Sequence, residues 1–212
     1  LAIKAASVTT GGTQVEVASV ELDPVMERAT FHLSAPVGPG PATLEVEFSG
    51  TLNDKLHGFY ASTYRAEDGS TRTLAATQFE ATDARRAFPC WDDPSFKHPW
   101  QVTLVVPKGD MALSNTSIQS EVPSKVTKKV VFRKTKPLPA YLIAMATGPL
   151  EAVPIPGLSV PGRVVTVHGA SGLAGEAVRQ APKLLAALER YFGGPYPYDK
   201  LDLIAVPEFW PG

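Results

Sequence analysis

Prolines and glycines interrupt this chain at short intervals along its whole length. The 212 residues include 20 prolines and 17 glycines, which are spread out rather than gathered into one linker. Proline removes a backbone donor and glycine weakens regular structure, so neither is at home inside a long helix or a central strand. The pattern therefore favours many short strands joined by turns over long helices.

Short stretches of strand-like sequence follow one another up to about residue 150. In the clearest of them, Leu44, Val46 and Phe48 alternate with polar residues, which predicts a half-buried strand. Further strands are predicted at 13–17, 59–64, 72–77, 100–106, 111–115, 126–133 and 141–147. The connections are short enough for antiparallel pairing, and one sheet of eight or more strands would leave an apolar face uncovered. We therefore expect a mainly β fold, an antiparallel β-sandwich.

The character of the chain changes after His168. Apolar residues then recur at three- and four-residue spacing, which predicts an amphipathic helix that starts near Ser171 as N-cap and stops at Gly193-Gly194. Pro182 predicts a kink or a restart of that helix, and the proline-rich segment 149–161 before it predicts a bend. A hydrophobic strand is expected at 201–206. These features predict one domain over residues 1–170 and the start of a second over 171–212.

The overall charge and the single cysteine exclude several classes of function. The formal net charge is −1, so no electrostatic field exists to attract nucleic acid or an anionic membrane. No apolar run approaches the length of a bilayer span, and the N-terminus lacks a signal-peptide pattern. Cys90 stands alone, which rules out an internal disulfide and favours a reducing, cytoplasmic compartment. A lone cysteine is more often a small buried hydrophobe than a nucleophile.

The sequence contains no motif of a complete catalytic or metal site. No pair of histidines has the i, i+4 spacing of a zinc helix, and no phosphate loop or nucleophile elbow occurs. The four histidines lie far apart in the sequence, at His32, His57, His98 and His168. We therefore expect no catalytic residue and no metal ligand within this chain.

Gln78 and Glu80 form the candidate binding pair. Side chains two residues apart on an extended backbone point to the same face, so the amide and the carboxylate would project together while Phe79 turns into packing. Glu80 could accept a charge-assisted hydrogen bond from a cation, and Gln78 could both donate and accept. On composition alone, an exposed strand with an ordinary Gln and Glu remains an alternative.

Charged and aromatic residues crowd the segment that follows Glu80. The charged ones predict an ion-pair network that pins an irregular loop: Asp83, Arg85, Arg86, Asp92 and Asp93. The aromatic ones predict its apolar floor: Phe88, Trp91 and Phe96. Such anchoring is what a binding group requires.

Several segments, in order and at family spacing, resemble the M1 family of zinc aminopeptidases, most of all its puromycin-sensitive type. LNDKLHGFY at 52–60, TQFEATDARRAFPCWDDP at 77–94 and VVPKGDMALSNT at 105–116 resemble the N-terminal domain. YFGGPYPYDKLDLIAVPEF at 191–209 resembles the passage into the thermolysin-like α/β catalytic domain. The resemblance implies a saddle-like antiparallel β-sandwich up to about residue 170, followed by a truncated start of the catalytic domain.

The resemblance also implies roles for the binding pair. Glu80 would bind the α-ammonium group of a peptide substrate, and Gln78 would line the pocket for its first side chain. Relatives carry a cis peptide bond after this glutamate, so Glu80-Ala81 is expected to be cis. A leukotriene-hydrolase relative would carry Gln at the position of Glu80, so Glu favours a plain aminopeptidase.

The family's later motifs would lie beyond this chain. Gly212 would be the first glycine of the Gly-Ala-Met-Glu-Asn motif, and the zinc-binding His-Glu-x-x-His helix would follow it. The full-length parent would then be a zinc metallopeptidase that removes N-terminal residues from peptides, its partners being the peptide N-terminus and the missing catalytic domain. The 212-residue fragment would bind no zinc and would be inactive.

Two alternatives belong to other classes of function. A non-catalytic relative could use the same architecture for protein assembly. A free-standing β-sandwich binding module is disfavoured, because it would leave the apolar stripe of the final helix uncovered.

Overall fold

Residues 1–209 are the part of the chain that the computed structural model describes. Strands make up 44% and helix 13% of the structure, which confirms the mainly β class. In chain order the strands are β1 (Ala2–Thr10), β2 (Thr13–Asp23), β3 (Arg28–Leu33), β4 (Ala42–Ser49), β5 (Gly58–Arg65), β6 (Thr71–Gln78), β7 (Thr103–Pro107), β8 (Met111–Ser114), β9 (Ile118–Pro123), β10 (Thr127–Phe132), β11 (Met145–Gly148), β12 (Leu150–Pro154), β13 (Gly162–Val167) and β14 (Leu201–Ile204), and the α-helix is α1 (Gly175–Phe192).

The described strands form four sheets. Their orders are β3-β2-β1-β4, β5-β6-β11-β8, β7-β10-β9 and β12-β13-β14. Every pairing between these strands is antiparallel except that of β13 with β14, which is parallel. The predicted antiparallel connections are therefore confirmed up to residue 167, and the parallel pair appears only where α1 provides the crossover.

The main core lies between the β5-β6-β11-β8 sheet and the β12-β13-β14 sheet. Both sheets contribute buried side chains to one cluster, which is the face-to-face packing predicted for a sandwich: Tyr60, Leu74, Ala76, Leu113, Ala146, Leu150 and Val165. Tyr60 and Val165 are fully buried. By contrast, Leu44 and Phe48 on β4 remain 40% and 36% exposed, so the predicted strand exists but its apolar face is only partly covered by residues 1–209.

The segments 141–147 and 149–161 differ from the sequence prediction. The predicted strand at 141–147 is a 3-10 turn over Ala140–Leu142 followed by β11. The Asn115 side chain binds the Leu142 carbonyl and the Ala144 N–H, both at 2.8 Å, and so takes backbone groups that a longer ladder would use. The segment 149–161, predicted only to bend, contains β12. Its Pro154 is the last residue of that strand, and β12 lies at the edge of its sheet, where proline is tolerated.

The helix is one element, and it begins later than predicted. Ser171 does not cap it: the Ser171 N–H instead donates to Glu151 Oε1 at 2.7 Å, and a 3-10 turn over Ser171–Ala174 precedes α1. Pro182 lies inside the helix without a restart, and Gly193, with φ of 70°, ends it as predicted.

The residues after Ser171 pack against strands that precede it. Val164 on β13 pairs with Leu203 on β14, and α1 buries Ala181 against Val164 and Ile155. The two parts of the chain are therefore joined by a shared sheet and a shared apolar cluster. Over residues 1–209, no helix has the length and apolar character needed to cross a membrane.

Candidate functional site

Gln78 and Glu80 lie at the end of β6, on opposite sides of a buried phenylalanine in the sequence. Gln78 is half-buried and Glu80 is exposed, whereas Phe79 between them is only 2% exposed. The Phe79 ring meets Phe88 edge-on, with the ring centroids 5.6 Å apart. Phe79 is therefore buried between a half-buried and an exposed neighbour, and the prediction that it turns into packing is confirmed.

A tight turn holds Glu80. The Asp83 N–H donates to the Phe79 carbonyl at 2.9 Å, and a 3-10 turn over Ala84–Arg86 follows with Ala84 fully buried. The Glu80-Ala81 peptide bond is cis, which confirms that expectation. Glu80 is therefore an exposed carboxylate on a backbone fixed from both sides.

The first group of ion pairs anchors the far end of this turn. Arg85 donates from Nε and from its backbone N–H to Asp92 Oδ2, both at 3.1 Å, and from Nη1 to Glu27 Oε2 at 3.1 Å. The hydrogen bond to Asp92 is the main reason why the pKa of Arg85 is raised. Glu27 lies in the turn between β2 and β3, so this group also attaches the first sheet to the loop.

The second group anchors the near end. Asp83 accepts a hydrogen bond from Arg86 Nε, and its Oδ2 lies 3.3 Å from His57 Nδ1. Asp93 joins neither group, because its Oδ1 accepts the N–H and the hydroxyl of Ser95 at 2.8 and 2.6 Å. The single network predicted from the sequence is therefore two separate groups, and Asp93 caps a local turn.

Only one of the three predicted floor residues lies beneath the loop. Phe88 packs between Phe79 and Trp100, with its ring centroid 5.6 Å from each of theirs. Trp91 and Phe96 are 64% and 45% exposed. Because Phe88, Phe79 and Trp100 already fill the space beneath the loop, the other two aromatics remain at the surface.

Gly58 sets the spacing between the turn and β5, and sequence reasoning missed it. Gly58 on β5 pairs with Gln78 on β6. Its φ is 70°, and a Cβ at this position would lie 2.9 Å from the Arg86 Cβ. A side chain would push away the arginine that holds Asp83. The available signal was a glycine directly before an alternating strand, in the sequence GFYASTY.

One protein-family model matches this chain. The model of the Peptidase M1 N-terminal domain matches residues 1–142, and this range contains Gln78, Glu80 and the whole anchored turn. The chain belongs to the M1 peptidase family.

Curated M1 relatives from distant organisms agree with that assignment. Aminopeptidase M1-A of Oryza sativa subsp. japonica is 44% identical over 185 residues, which cover 86% of this chain and 20% of the relative. The puromycin-sensitive aminopeptidase of Caenorhabditis elegans is 39% identical over 183 residues, 85% of this chain and 19% of the relative. Aminopeptidase N of Acetobacter pasteurianus is 35% identical over 194 residues, 90% of this chain and 54% of the relative. This M1 chain thus spans about a fifth of the first two relatives and about half of the third.

M1 peptidases use a zinc ion, but the residues of this M1 chain that the structure describes form no site that could hold it. Within residues 1–209, no group of three or more His, Cys, Asp or Glu side chains could hold a metal ion. Two of the histidines lie 3.3 Å from a carboxylate, His32 from Glu21 and His57 from Asp83.

Cys90 behaves as a small hydrophobe in this M1 domain. It packs against the cluster that contains Phe79 and Ala140, and burial, assisted by the charge of Asp92, raises the pKa of its thiol to about 12. Only about one thiol in ten thousand would then be ionised at pH 8.

We expect Cys90 to resist thiol reagents in the folded protein. Its labelling by 5,5′-dithiobis(2-nitrobenzoic acid) at pH 8 should be at least about a hundredfold slower than in 6 M guanidinium chloride, because the thiolate is the reactive species. Absorbance at 412 nm against time gives both rates. Equal rates with and without denaturant would contradict the burial of this thiol.

Proposed function

We propose that the parent of this chain is a zinc aminopeptidase and that residues 1–209 provide the wall that binds the N-terminus of its peptide substrate. In this proposal Glu80 accepts the substrate's α-ammonium group and Gln78 lines the pocket for the first side chain. The observation that carries the proposal is the placement of Glu80. It is an exposed carboxylate on a turn that follows the buried Phe79 and is held by two groups of ion pairs.

The chemistry of an exopeptidase supports this assignment. A substrate ammonium loses hydration when it binds, and a carboxylate already fixed in position compensates through a charge-assisted hydrogen bond. A fixed contact also sets the register, so that the first peptide bond and no other reaches the reacting group. Rigidity is therefore as important as charge, and the anchored turn supplies it.

The proposal extends to the division of the chain. Residues 1–170 would form the N-terminal β-sandwich domain, and residues 171–212 would begin the catalytic domain, with the zinc ligands outside residues 1–209. Gly212, the expected first glycine of the family's next motif, lies outside the described residues. The partners would be the peptide N-terminus and the remainder of the same chain, and we propose a cytoplasmic location.

The proposal predicts activity in the parent and none in the fragment. The full-length parent should hydrolyse leucine p-nitroanilide. The chelator 1,10-phenanthroline should abolish that activity, and added zinc should restore it. N-acetyl-leucine p-nitroanilide should not be cleaved. The 212-residue chain, purified in the same way, should release no p-nitroaniline above the background of a mock preparation.

Two outcomes of this assay would count against the proposal. Turnover that copurifies with the 212-residue chain would show that the active centre is complete without the rest of the parent. A folded, zinc-loaded parent without turnover on a panel of amino-acid p-nitroanilides would favour the non-catalytic assembly protein instead.

A further inference from the structure

Glu208 reaches from the end of β14 across to β5 and makes four hydrogen bonds there. Its Oε2 accepts from the Thr63 N–H at 2.9 Å and from the Thr63 hydroxyl at 3.3 Å. Its own N–H donates to Ser62 Oγ at 3.0 Å, and its carbonyl accepts from the Tyr60 hydroxyl at 2.9 Å. Side chain and backbone of one residue are thus fixed to three positions about 145 residues earlier.

The groups that bind Glu208 are held in place by the fold. Tyr60 and Ser62 are fully buried, so their hydroxyls need partners within the protein. Burial, together with the charge of Glu208, raises the pKa of Tyr60 to about 12, which keeps its hydroxyl a donor. Thr63 lies on β5, an outer strand of its sheet, and the carboxylate takes a backbone N–H that such an edge leaves free.

The same two-stranded ribbon carries the proposed amine anchor. β5 pairs with β6 along its length, with Thr63 opposite Thr73 towards one end and Gly58 opposite Gln78 at the other. Glu208 is therefore attached to the ribbon whose end presents Gln78 and Glu80. Because β14 is also paired with β13, the chain near residue 208 is held at two places.

We propose that Glu208 is a positioning residue for the peptidase reaction of the parent. It fixes the end of the β14 segment to the β5-β6 ribbon that presents Glu80, and so aligns the bound N-terminus with the groups of the parent that act on the first peptide bond. This inference rests on the proposed function. Glu208 does not touch the substrate, and its effect passes through the β5-β6 ribbon.

A double-mutant cycle in the full-length parent tests the coupling between Glu208 and Glu80. Glu208→Ala should lower kcat for leucine p-nitroanilide about tenfold and change KM less than about twofold, because misalignment slows the reaction more than it weakens binding. In the Glu80→Ala background the same substitution should cost less than about twofold, since no anchored amine remains to be aligned.

Two further variants separate positioning from simple loss of structure. Glu208→Gln keeps an oxygen acceptor for the Thr63 N–H and should retain kcat within about threefold of wild type. Glu151→Gln is the matched control, because Glu151 also accepts backbone N–H groups, but from Gly169 and Ser171, which are not on β5. Its kcat should be unchanged.

Several results would overturn the inference. Wild-type kcat in folded Glu208→Ala, or an equal loss with and without Glu80, would show that Glu208 has only a structural role.

If Glu208→Ala does not fold, Tyr60→Phe removes one hydrogen bond and keeps the ring. A loss of about threefold in kcat that vanishes in the Glu80→Ala background supports the inference, and wild-type kcat overturns it. If Glu80→Ala alone leaves kcat/KM unchanged, the proposed function fails as well. An effect of Glu80 without coupling removes only the role of Glu208.

Discussion

Replacing Glu80 by alanine in the full-length parent is expected to lower kcat/KM for leucine p-nitroanilide about a hundredfold, the loss that follows from removing a charge-assisted contact to the substrate. Glu80 is exposed, so the substitution leaves no cavity and the fold should be unaffected. Steady-state kinetics at fixed zinc content, with the melting temperature measured alongside, give the comparison.

Two companion variants show whether charge is the cause. Glu80→Gln keeps the shape and an acceptor but loses the charge, so it should fall between wild type and Glu80→Ala. Glu47→Ala removes another exposed carboxylate, on β4 of the first sheet, and should leave kcat/KM unchanged. An unchanged kcat/KM in Glu80→Ala would mean that this carboxylate has no contact with the substrate.

Asp202→Ala is expected to lower the free energy of unfolding of the 212-residue chain by about 3–5 kcal/mol. The Asp202 side chain is 6% exposed and bridges Arg163 Nε at 2.9 Å and Lys200 Nζ at 2.6 Å. Lys200 also donates to the Ser114 carbonyl on β8 at 2.6 Å. Alanine would leave two cations without their shared counter-charge at the place where β14 meets β13 and β8.

Urea unfolding followed by tryptophan fluorescence measures this loss. Asp199→Ala is the matched control, since Asp199 is an exposed carboxylate in the same segment and accepts the Ser117 N–H at 3.2 Å. It should cost less than about 1 kcal/mol. Equal losses in the two variants would show that the buried position of Asp202 contributes nothing beyond a surface pair.

The stabilisation by Asp202 should depend on pH in one direction. Burial opposes its ionisation, but hydrogen bonds from Arg163 and Lys200 outweigh burial and hold the pKa of Asp202 below its ordinary value. A lowered pKa in the folded state means that the ionised form stabilises the fold. The difference between wild type and Asp202→Asn should therefore be full above about pH 4 and should shrink as the pH falls further.

The sequence predicted features that depend on local alternation and failed where packing between distant segments decides. The burial of Phe79 between Gln78 and Glu80 was predicted from the two-residue period of a strand. The exposure of Trp91 does not, because it depends on Phe88 and Trp100 having already filled the space beneath the loop. β9 was missed because all six of its residues are exposed, so no buried face marks it.

The candidate site shows the same division between local and distant information. Gln78 and Glu80 were found from their spacing and from the resemblance to the family, and their contact with substrate stays a proposal. Gly58 matters because it faces the Arg86 side chain, 28 positions later in the chain. Glu208 matters because it binds Thr63, 145 positions earlier in the chain. Neither contact can be predicted from the local sequence pattern, because both form only when β5 packs beside its neighbours in the fold.

The most direct test of Glu80 as the amine anchor compares two substrates that differ only in the α-amine: leucine p-nitroanilide and the analogue with hydrogen in place of the ammonium group. Wild-type parent should prefer the first by about a hundredfold in kcat/KM, and Glu80→Ala should reduce that preference to within about threefold, because the charge that distinguishes the substrates has lost its partner. A preference in Glu80→Ala as large as in wild type would contradict the account, since another group would then bind the ammonium.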